Sequence, residues 1–193
     1  MSVLPMRVAV LSAMLAGCML AGCGSAVAVA GADELRATIR VVAAYGDADY
    51  DGGRGDCAFG DDALRLSVRE RGRRVATLPF CSSYASAHAV LLRDRKSRRY
   101  LLLESQSGRG THVAKRYLTL YRLGAEPIEL LRTPLAWPIG PDQYFGYRYT
   151  AEPDGAGGLR IRLHGSVERA ADATEPLDAV GERERTIRVE AGS

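Results

Sequence analysis

The sequence lacks any large excess of one charge. Its 26 basic and 23 acidic side chains nearly cancel and leave a formal net charge of +3. A histone-like or nucleic-acid-coating protein needs a strong basic excess, so this balance excludes that class, and we expect no nucleic-acid partner. A hydrophobic share of 47% beside 25% charged residues is the composition of a globular protein and not of a disordered one.

Catalytic signatures are also missing. The chain contains neither a G-x-S-x-G elbow nor an H-E-x-x-H pair. The histidines, His88, His112 and His164, fall at the starts or ends of predicted strands. Ser83 and Ser86 lie near His88 in the sequence, but a catalytic triad is defined by spatial geometry, which sequence proximity does not establish. We therefore expect a protein that is not an enzyme.

No segment shows a confident amphipathic helical period. Apolar residues instead alternate with polar ones, as in Leu35–Val41, Leu64–Val68 and Leu159–Leu163, and this period of two places one face of a strand in the core. Residues 100–103 are apolar on both faces, which favours a central strand. Turn signals such as Arg71-Gly72 separate these runs. The sequence predicts an all-β fold, a single-domain antiparallel sandwich or barrel of about eight to ten short strands.

The N-terminus has a different character from the rest of the chain. Arg7 is the only charged residue before Asp33, and an apolar run follows it up to Leu20–Cys23, with the sequence LAGC. One basic residue, a short apolar core and then small residues are typical of a secretory signal peptide. The segment resembles the signal of bacterial lipoproteins, because LAGC fits their lipobox.

That resemblance implies how the chain matures and where it resides. Residues 1–22 are the expected signal peptide, residues 23–32 the acylated Cys23 with a short tether, and residues 33–193 the β domain. In lipoproteins the cysteine carries a diacylglycerol and an acylated amine, and several buried acyl chains make such an anchor effectively permanent. Gly24, and not Asp, follows the cysteine, which in a Gram-negative cell favours the outer membrane facing the periplasm.

Two alternatives to cleavage before Cys23 remain open. Residues 15–18 also fit the lipobox, but cleavage before Cys18 leaves a shorter apolar core, so we prefer Cys23. An ordinary signal peptide cleaved after Ala30 is the second alternative, since residues 28–30 form an A-x-A site. That cleavage would release a soluble secreted protein.

Cysteine usage agrees with export. Once Cys18 and Cys23 are assigned to the signal and the anchor, Cys57 and Cys81 remain. Two thiols in an oxidising compartment most simply pair, so we expect a disulfide between them. A loop of this size adds about 3 kcal/mol to the free energy of unfolding in the chain-entropy treatment. A zinc site is poorly supported, because neither cysteine has a second ligand at zinc-site spacing.

An acidic segment matches the start of a calcium loop. Asp47, Asp49 and Asp51 alternate and are followed by a glycine, as in D-x-D-x-D-G, so their carboxylates can turn toward one hard cation. Ala58 occupies the twelfth position, where an EF-hand has a bidentate Glu, and this excludes an EF-hand. A shorter calcium loop between strands, with Asp56 as a further ligand, is the candidate; an acidic glycine-rich turn is the alternative.

A polar, glycine-rich loop follows the most apolar predicted strand. Ser105, Ser107, Gly108 and Arg109 lie in the segment SQSGRGT, which is similar to the Ser-Gly loop that periplasmic lysozyme inhibitors insert into the lysozyme cleft. The resemblance implies a role for these four residues in binding a protein partner. An ordinary hairpin loop is the alternative interpretation.

The basic residues are unevenly distributed. Those of the middle third fall largely on outward strand positions and at hairpin tips, and arginine strongly outnumbers lysine. Such clusters attract phosphates, anionic glycans or acidic proteins, although solvated strand faces are the simpler interpretation.

Together these observations predict a lipid-anchored envelope protein with a non-enzymatic β domain that binds a partner or supports envelope assembly. The expected partners are the membrane, through the anchor, and an anionic envelope component or a protein. The alternative is a periplasmic inhibitor or immunity protein that blocks a wall-degrading hydrolase such as lysozyme. The one candidate cofactor is a calcium ion.

Overall fold

Ten antiparallel strands and one 3-10 turn form the described chain, which confirms the predicted all-β fold. The structure is a computed structural model, and it describes residues 35–44, 57–58, 60–109, 114–140, 143–155, 157–169 and 183–190. The strands are β1 (Leu35–Ala43), β2 (Asp62–Glu70), β3 (Arg73–Ser82), β4 (Ala87–Arg93), β5 (Arg99–Ser107), β6 (Lys115–Leu123), β7 (Ile128–Gly140), β8 (Gln143–Pro153), β9 (Leu159–Arg169) and β10 (Glu184–Val189).

The first sheet contains three strands in the order β1-β2-β3. A two-residue turn joins β2 to β3, and both of its residues have positive φ, 50° at Arg71 and 77° at Gly72. Two successive positive φ values give a tight hairpin whose twist matches that of its strands, and glycine enters this region without steric cost. The turn therefore fixes which residues of β2 and β3 face each other.

The second sheet contains seven strands in the order β10-β9-β8-β7-β6-β5-β4. The long strand β7 pairs with β6 along Ile128–Ala136 and with β8 only from Ala136 onward. Register shifts interrupt its pairing beside Pro134 and Pro138, and prolines and bulges bend strands. The second sheet consequently folds over at β7, so that side chains of β5 and β6 pack against those of β8 and β9.

Strand β5 is buried on both of its faces. Leu101 and Leu103 pack in an apolar cluster with β1, β2, β3 and β4, while Tyr100 and Leu102 pack in a second cluster with β6, β8 and β9. None of these four residues is more than 1% exposed. Residues 100–103 are thus buried on both faces, as predicted. β5 is the second strand from the β4 edge of its sheet, and it joins the two halves of the core.

The predicted disulfide between Cys57 and Cys81 is present, with the two Cα atoms 5.4 Å apart. It ties the segment that precedes β2 to the end of β3. The same region carries the turn at Gly60 and the buried residues Asp61 and Asp62.

Burial on both faces of β5 predicts that Leu101→Ala and Leu102→Ala are equally damaging. Each removes a fully buried side chain, so each lowers the free energy of unfolding by about 2–5 kcal/mol. Val42→Ala is the control, because Val42 is 56% exposed and its truncation leaves the free energy of unfolding nearly unchanged. Urea unfolding followed by circular dichroism measures all three; tolerance of either leucine substitution would contradict the double-sided burial.

Candidate functional site

The buried carboxylate of Asp61 accepts hydrogen bonds from two other segments of the chain, the 3-10 turn and the end of β5. Its Oδ1 accepts hydrogen bonds from Ser83 Oγ at 2.5 Å and from the Gly108 amide at 3.1 Å, and its Oδ2 accepts one from Ser107 Oγ at 3.0 Å. Asp61 is only 3% exposed. A buried carboxylate is stable only when hydrogen bonds replace lost water, and these three donors do so.

Asp62, the next residue, holds the end of the same loop. Its Oδ1 accepts a hydrogen bond from the Arg109 guanidinium at 2.9 Å, and its Oδ2 accepts one from the Ala85 amide at 2.7 Å. Arg109 also donates through Nε to the Gly60 carbonyl, and its guanidinium carbon lies 4.5 Å from the centre of the Tyr84 ring. The arginine is thus fixed by an ion pair, a backbone carbonyl and an aromatic face.

These contacts place the predicted partner-binding residues at a junction between the two sheets. Ser105 lies inside β5, and the polar groups of Ser107, Gly108 and Arg109 point toward Asp61 and Asp62 at the start of β2. The loop therefore joins β5 to the first sheet. A role in binding a lysozyme-like partner stays a prediction.

Sequence reasoning missed the importance of Asp61 and Asp62. Two adjacent carboxylates before a strand resemble ordinary turn residues, and their partners lie 22 to 47 residues away along the chain. The one signal in the sequence is their position between Cys57 and a strand that begins with alternating apolar residues.

A second polar cluster lies between β4, β5 and β8. Glu104 Oε1 accepts a hydrogen bond from the Tyr149 hydroxyl at 2.9 Å, and it lies 3.5 Å from His88 Nδ1. The His88 side chain is 41% exposed and that of Glu104 is 21% exposed, so solvent reaches the cluster from the β4 side. Tyr149 reaches Glu104 because the second sheet folds over at β7.

The three groups shift one another's pKa. The interaction with Glu104 raises the pKa of His88 above its ordinary value, although partial burial opposes that change. Burial disfavours the charged form of Glu104, but hydrogen bonds from His88 and Tyr149, with the positive charges of His88 and Arg116, outweigh it and lower the pKa of Glu104. Burial, with the charge of Glu104, raises the pKa of Tyr149. The cluster therefore favours an ionised carboxylate beside a protonated histidine.

The structure does not bring His88 together with the serines near it in the sequence. Ser83 Oγ donates to Asp61, whereas His88 contacts Glu104. Ser82 Oγ donates to the Ser86 carbonyl and accepts a hydrogen bond from the Gln106 amide at 2.9 Å. These serines belong to the junction beside the Ser105–Arg109 loop, and His88 belongs to the separate cluster around Glu104.

The outward face of the first sheet carries a dense array of arginines. The inward residues of β1–β3 form part of the apolar core, which leaves the alternate positions facing solvent. Five of those positions are exposed arginines, with Thr38, Ser67 and Thr77 in the row between them. We call this surface the arginine face; its arginines are Arg36, Arg40, Arg65, Arg69 and Arg74.

Strand register places these arginines directly opposite one another. Arg36 faces Arg69, Arg40 faces Arg65, and Arg69 also faces Arg74. Like charges at opposite positions of an antiparallel pair lower stability by a few tenths of a kcal/mol to about 1 kcal/mol each. Among the residues that the structure describes, none of the five forms an ion pair. Within the described part of the chain, the arginine face therefore concentrates positive charge that no carboxylate neutralises in an ion pair.

Several predicted site residues lie outside the described ranges. These are the acylation residue Cys23 and the calcium-loop residues Asp47, Asp49, Asp51 and Asp56. Within the described part of the chain, no group of three or more His, Cys, Asp or Glu side chains is arranged to hold a metal ion. The same residues include no helix that is long and apolar enough to span a membrane.

Comparison with known proteins yields no relative: the chain has no significant match among family models, curated proteins or solved structures.

The junction at Asp61 predicts a large effect of Asp61→Ala. The substitution leaves the Ser83 and Ser107 hydroxyls and the Gly108 amide without their acceptor, so the free energy of unfolding falls by about 2–4 kcal/mol. Glu126→Ala, at an exposed position, is the control and changes it little. Denaturant unfolding measures the loss, and faster hydrogen exchange at the Gly108 amide locates it; unchanged exchange there would contradict the assignment.

The His88–Glu104 pair predicts that stability depends on pH. Because its pKa is raised on folding, His88 stabilises the native state fully below its ordinary value of 6.5, and this contribution is lost as the pH rises through the folded-state pKa. The extra free energy of unfolding of wild type over His88→Gln should therefore decrease as the pH rises above 6.5, by no more than about 1 kcal/mol at this half-exposed site. Unfolding at several pH values measures it.

A titration of the His88 ring by NMR tests the same pair directly. The His88 pKa should lie above its ordinary value in wild type and fall in Glu104→Gln, which removes the negative partner. An equal pKa in the two proteins would show that Glu104 does not act on His88.

Proposed function

We propose that the protein is a lipid-anchored component of a bacterial cell envelope whose β domain binds an anionic partner. The anchor is Cys23, and the proposed location is the outer membrane facing the periplasm. The LAGC sequence at residues 20–23, at the end of a short apolar segment with one preceding arginine, supports the anchor.

The disulfide supports export. Disulfides persist in oxidising compartments and are rare in the reducing cytosol. The bond between Cys57 and Cys81 closes the region that carries Asp61 and Asp62, so the junction between the sheets is assembled from residues next to it. A chain that reaches the periplasm meets the conditions in which this bond forms.

The arginine face is the observation that carries the binding role. Five exposed arginines on three strands, opposed pairwise and without ion pairs among the described residues, lower the stability of the sheet. An anionic partner removes that repulsion when it binds, and guanidinium groups suit phosphate and carboxylate oxygens because of their planar, forked geometry. A binding function accounts for this arrangement without a catalytic step.

The anchor is tested by the mass of the mature protein. When the chain is expressed with its own N-terminus in a bacterium that processes lipoproteins, the purified protein should begin at Cys23 and carry the mass of its acyl groups. Cys23→Ala should abolish incorporation of a labelled fatty acid. Cys18→Ala is the matched control, because it changes the other lipobox cysteine and should leave labelling intact.

Two results would overturn this assignment. A mature protein that begins at Gly31 without acyl groups would establish ordinary signal-peptide cleavage. Loss of labelling in Cys18→Ala, with labelling retained in Cys23→Ala, would move the anchor to the other cysteine.

A further inference from the structure

We propose that the arginine face binds the anionic phospholipid headgroups of the bilayer that holds the anchor, so that the first sheet lies against the membrane. This inference rests on the proposed function, since it uses the anchor at Cys23, and it names the partner of the arginine face. Three observations favour headgroups over an anionic glycan or an acidic protein. They are the short chain between the anchor and β1, the distribution of the arginines over three strands, and the exposed apolar side chains at the end of β1.

Chain length keeps the arginine face near the anchor. Eleven residues separate Cys23 from Leu35, the first residue of β1, and a chain of that length spans at most about 40 Å when fully extended. Arg36, the second residue of β1, already belongs to the arginine face. The strand closest in sequence to the anchor is therefore one that carries this charge, and tethering raises its effective concentration at the bilayer surface.

The shape of the arginine face suits a surface better than a small ligand. Its arginines are spread over three adjacent strands, in two rows on either side of a row of hydroxyl side chains. A single phosphate would be held by a concave group of donors, whereas charges distributed over a sheet match many headgroups at once. Each arginine close to an anionic membrane adds to the attraction, which acts within about one Debye length, roughly 10 Å.

Exposed apolar side chains at the end of β1 favour a lipid interface. Val41 and Val42 are 51% and 56% exposed. Val41 pairs with buried Leu64 and so lies on the side opposite the arginine face, whereas Val42 lies at the bulge two residues after Arg40. Apolar side chains beside cations are the combination by which peripheral proteins enter the headgroup region of a bilayer. A soluble anionic glycan offers no apolar phase for Val42.

The test compares two labelled positions in the full-length, processed protein in vesicles. Thr38→Cys places a fluorophore on the arginine face, and Thr186→Cys places the same fluorophore on β10, opposite exposed Arg162 on the outward side of β9. Both are exposed threonines in strands, so they form a matched pair. A quencher attached to lipid headgroups reports which label lies close to the bilayer.

In vesicles of phosphatidylcholine mixed with phosphatidylglycerol, the label at position 38 should be quenched several-fold more than the label at position 186. The difference should disappear in phosphatidylcholine alone and when salt is raised to about 0.5 M, which shortens the Debye length. Equal quenching at both positions, or equal quenching in neutral and anionic vesicles, would overturn the proposal.

Charge reversal identifies the residues responsible. Arg65→Glu combined with Arg69→Glu should lower the docking equilibrium constant at least about 30-fold and abolish the excess quenching at position 38. Arg162→Glu combined with Arg188→Glu makes the same change in charge on the outward side of β9 and β10 and should leave the excess quenching intact. Circular dichroism verifies that all variants retain the fold. An equal loss in both pairs would show that net charge, and not the arginine face, governs docking.

Two further measurements separate the outcomes. Soluble dextran sulfate, in place of vesicles, tests an anionic glycan: if it shields the label at position 38 from iodide while anionic vesicles do not, the headgroup proposal is wrong. The intact mass of the same preparation tests the anchor. Missing acyl groups would overturn the proposed anchor but not the proposed docking surface. Quenching of the labels at positions 38 and 186 can still be compared when vesicles are added to the unacylated protein.

Discussion

Burial of β5 on both faces governs how the rest of the chain is arranged. A strand with apolar side chains on one face needs a single covering layer, whereas Leu101 and Leu103 on one side and Tyr100 and Leu102 on the other require two. The first sheet supplies one layer. The second sheet supplies the other by folding over at β7, and this fold brings Tyr149 within reach of Glu104. The polar junction at Asp61 then joins the end of β5 to the start of β2.

Much of this fold is encoded locally and was therefore predictable. Alternation of apolar residues depends only on the strand period, so it identifies strands such as β2 and β9. Arg71-Gly72 is a local turn signal, and the continuous apolar segment at residues 100–103 marks the strand that is buried on both faces. The pairing of Cys57 with Cys81 followed from elimination once the other two cysteines had been assigned to the N-terminus.

The features that were not predictable depend on distant contacts. The bend at β7 becomes visible only when the partners of its two ends are known. Asp61 looks like a turn residue until Ser107 and Gly108 lie beside it. The arginine face was predictable only in part. Alternation places each arginine outward, and the Arg71-Gly72 hairpin sets Arg69 opposite Arg74. The pairing of β1 with β2 could not be predicted, because a long connection separates the two strands in the sequence.

The position of β5 between two layers also bears on the chain before it folds. A segment that needs two covering layers stays uncovered until both have assembled, and an uncovered run of leucines is prone to self-association. Residues 95–99, immediately before the apolar segment 100–103, are RKSRR, and Glu104 follows that segment. Charged residues that flank an apolar strand act as gatekeepers against aggregation. The basic hairpin between β4 and β5 is thus positioned to act as such a gatekeeper for β5 in the unfolded chain.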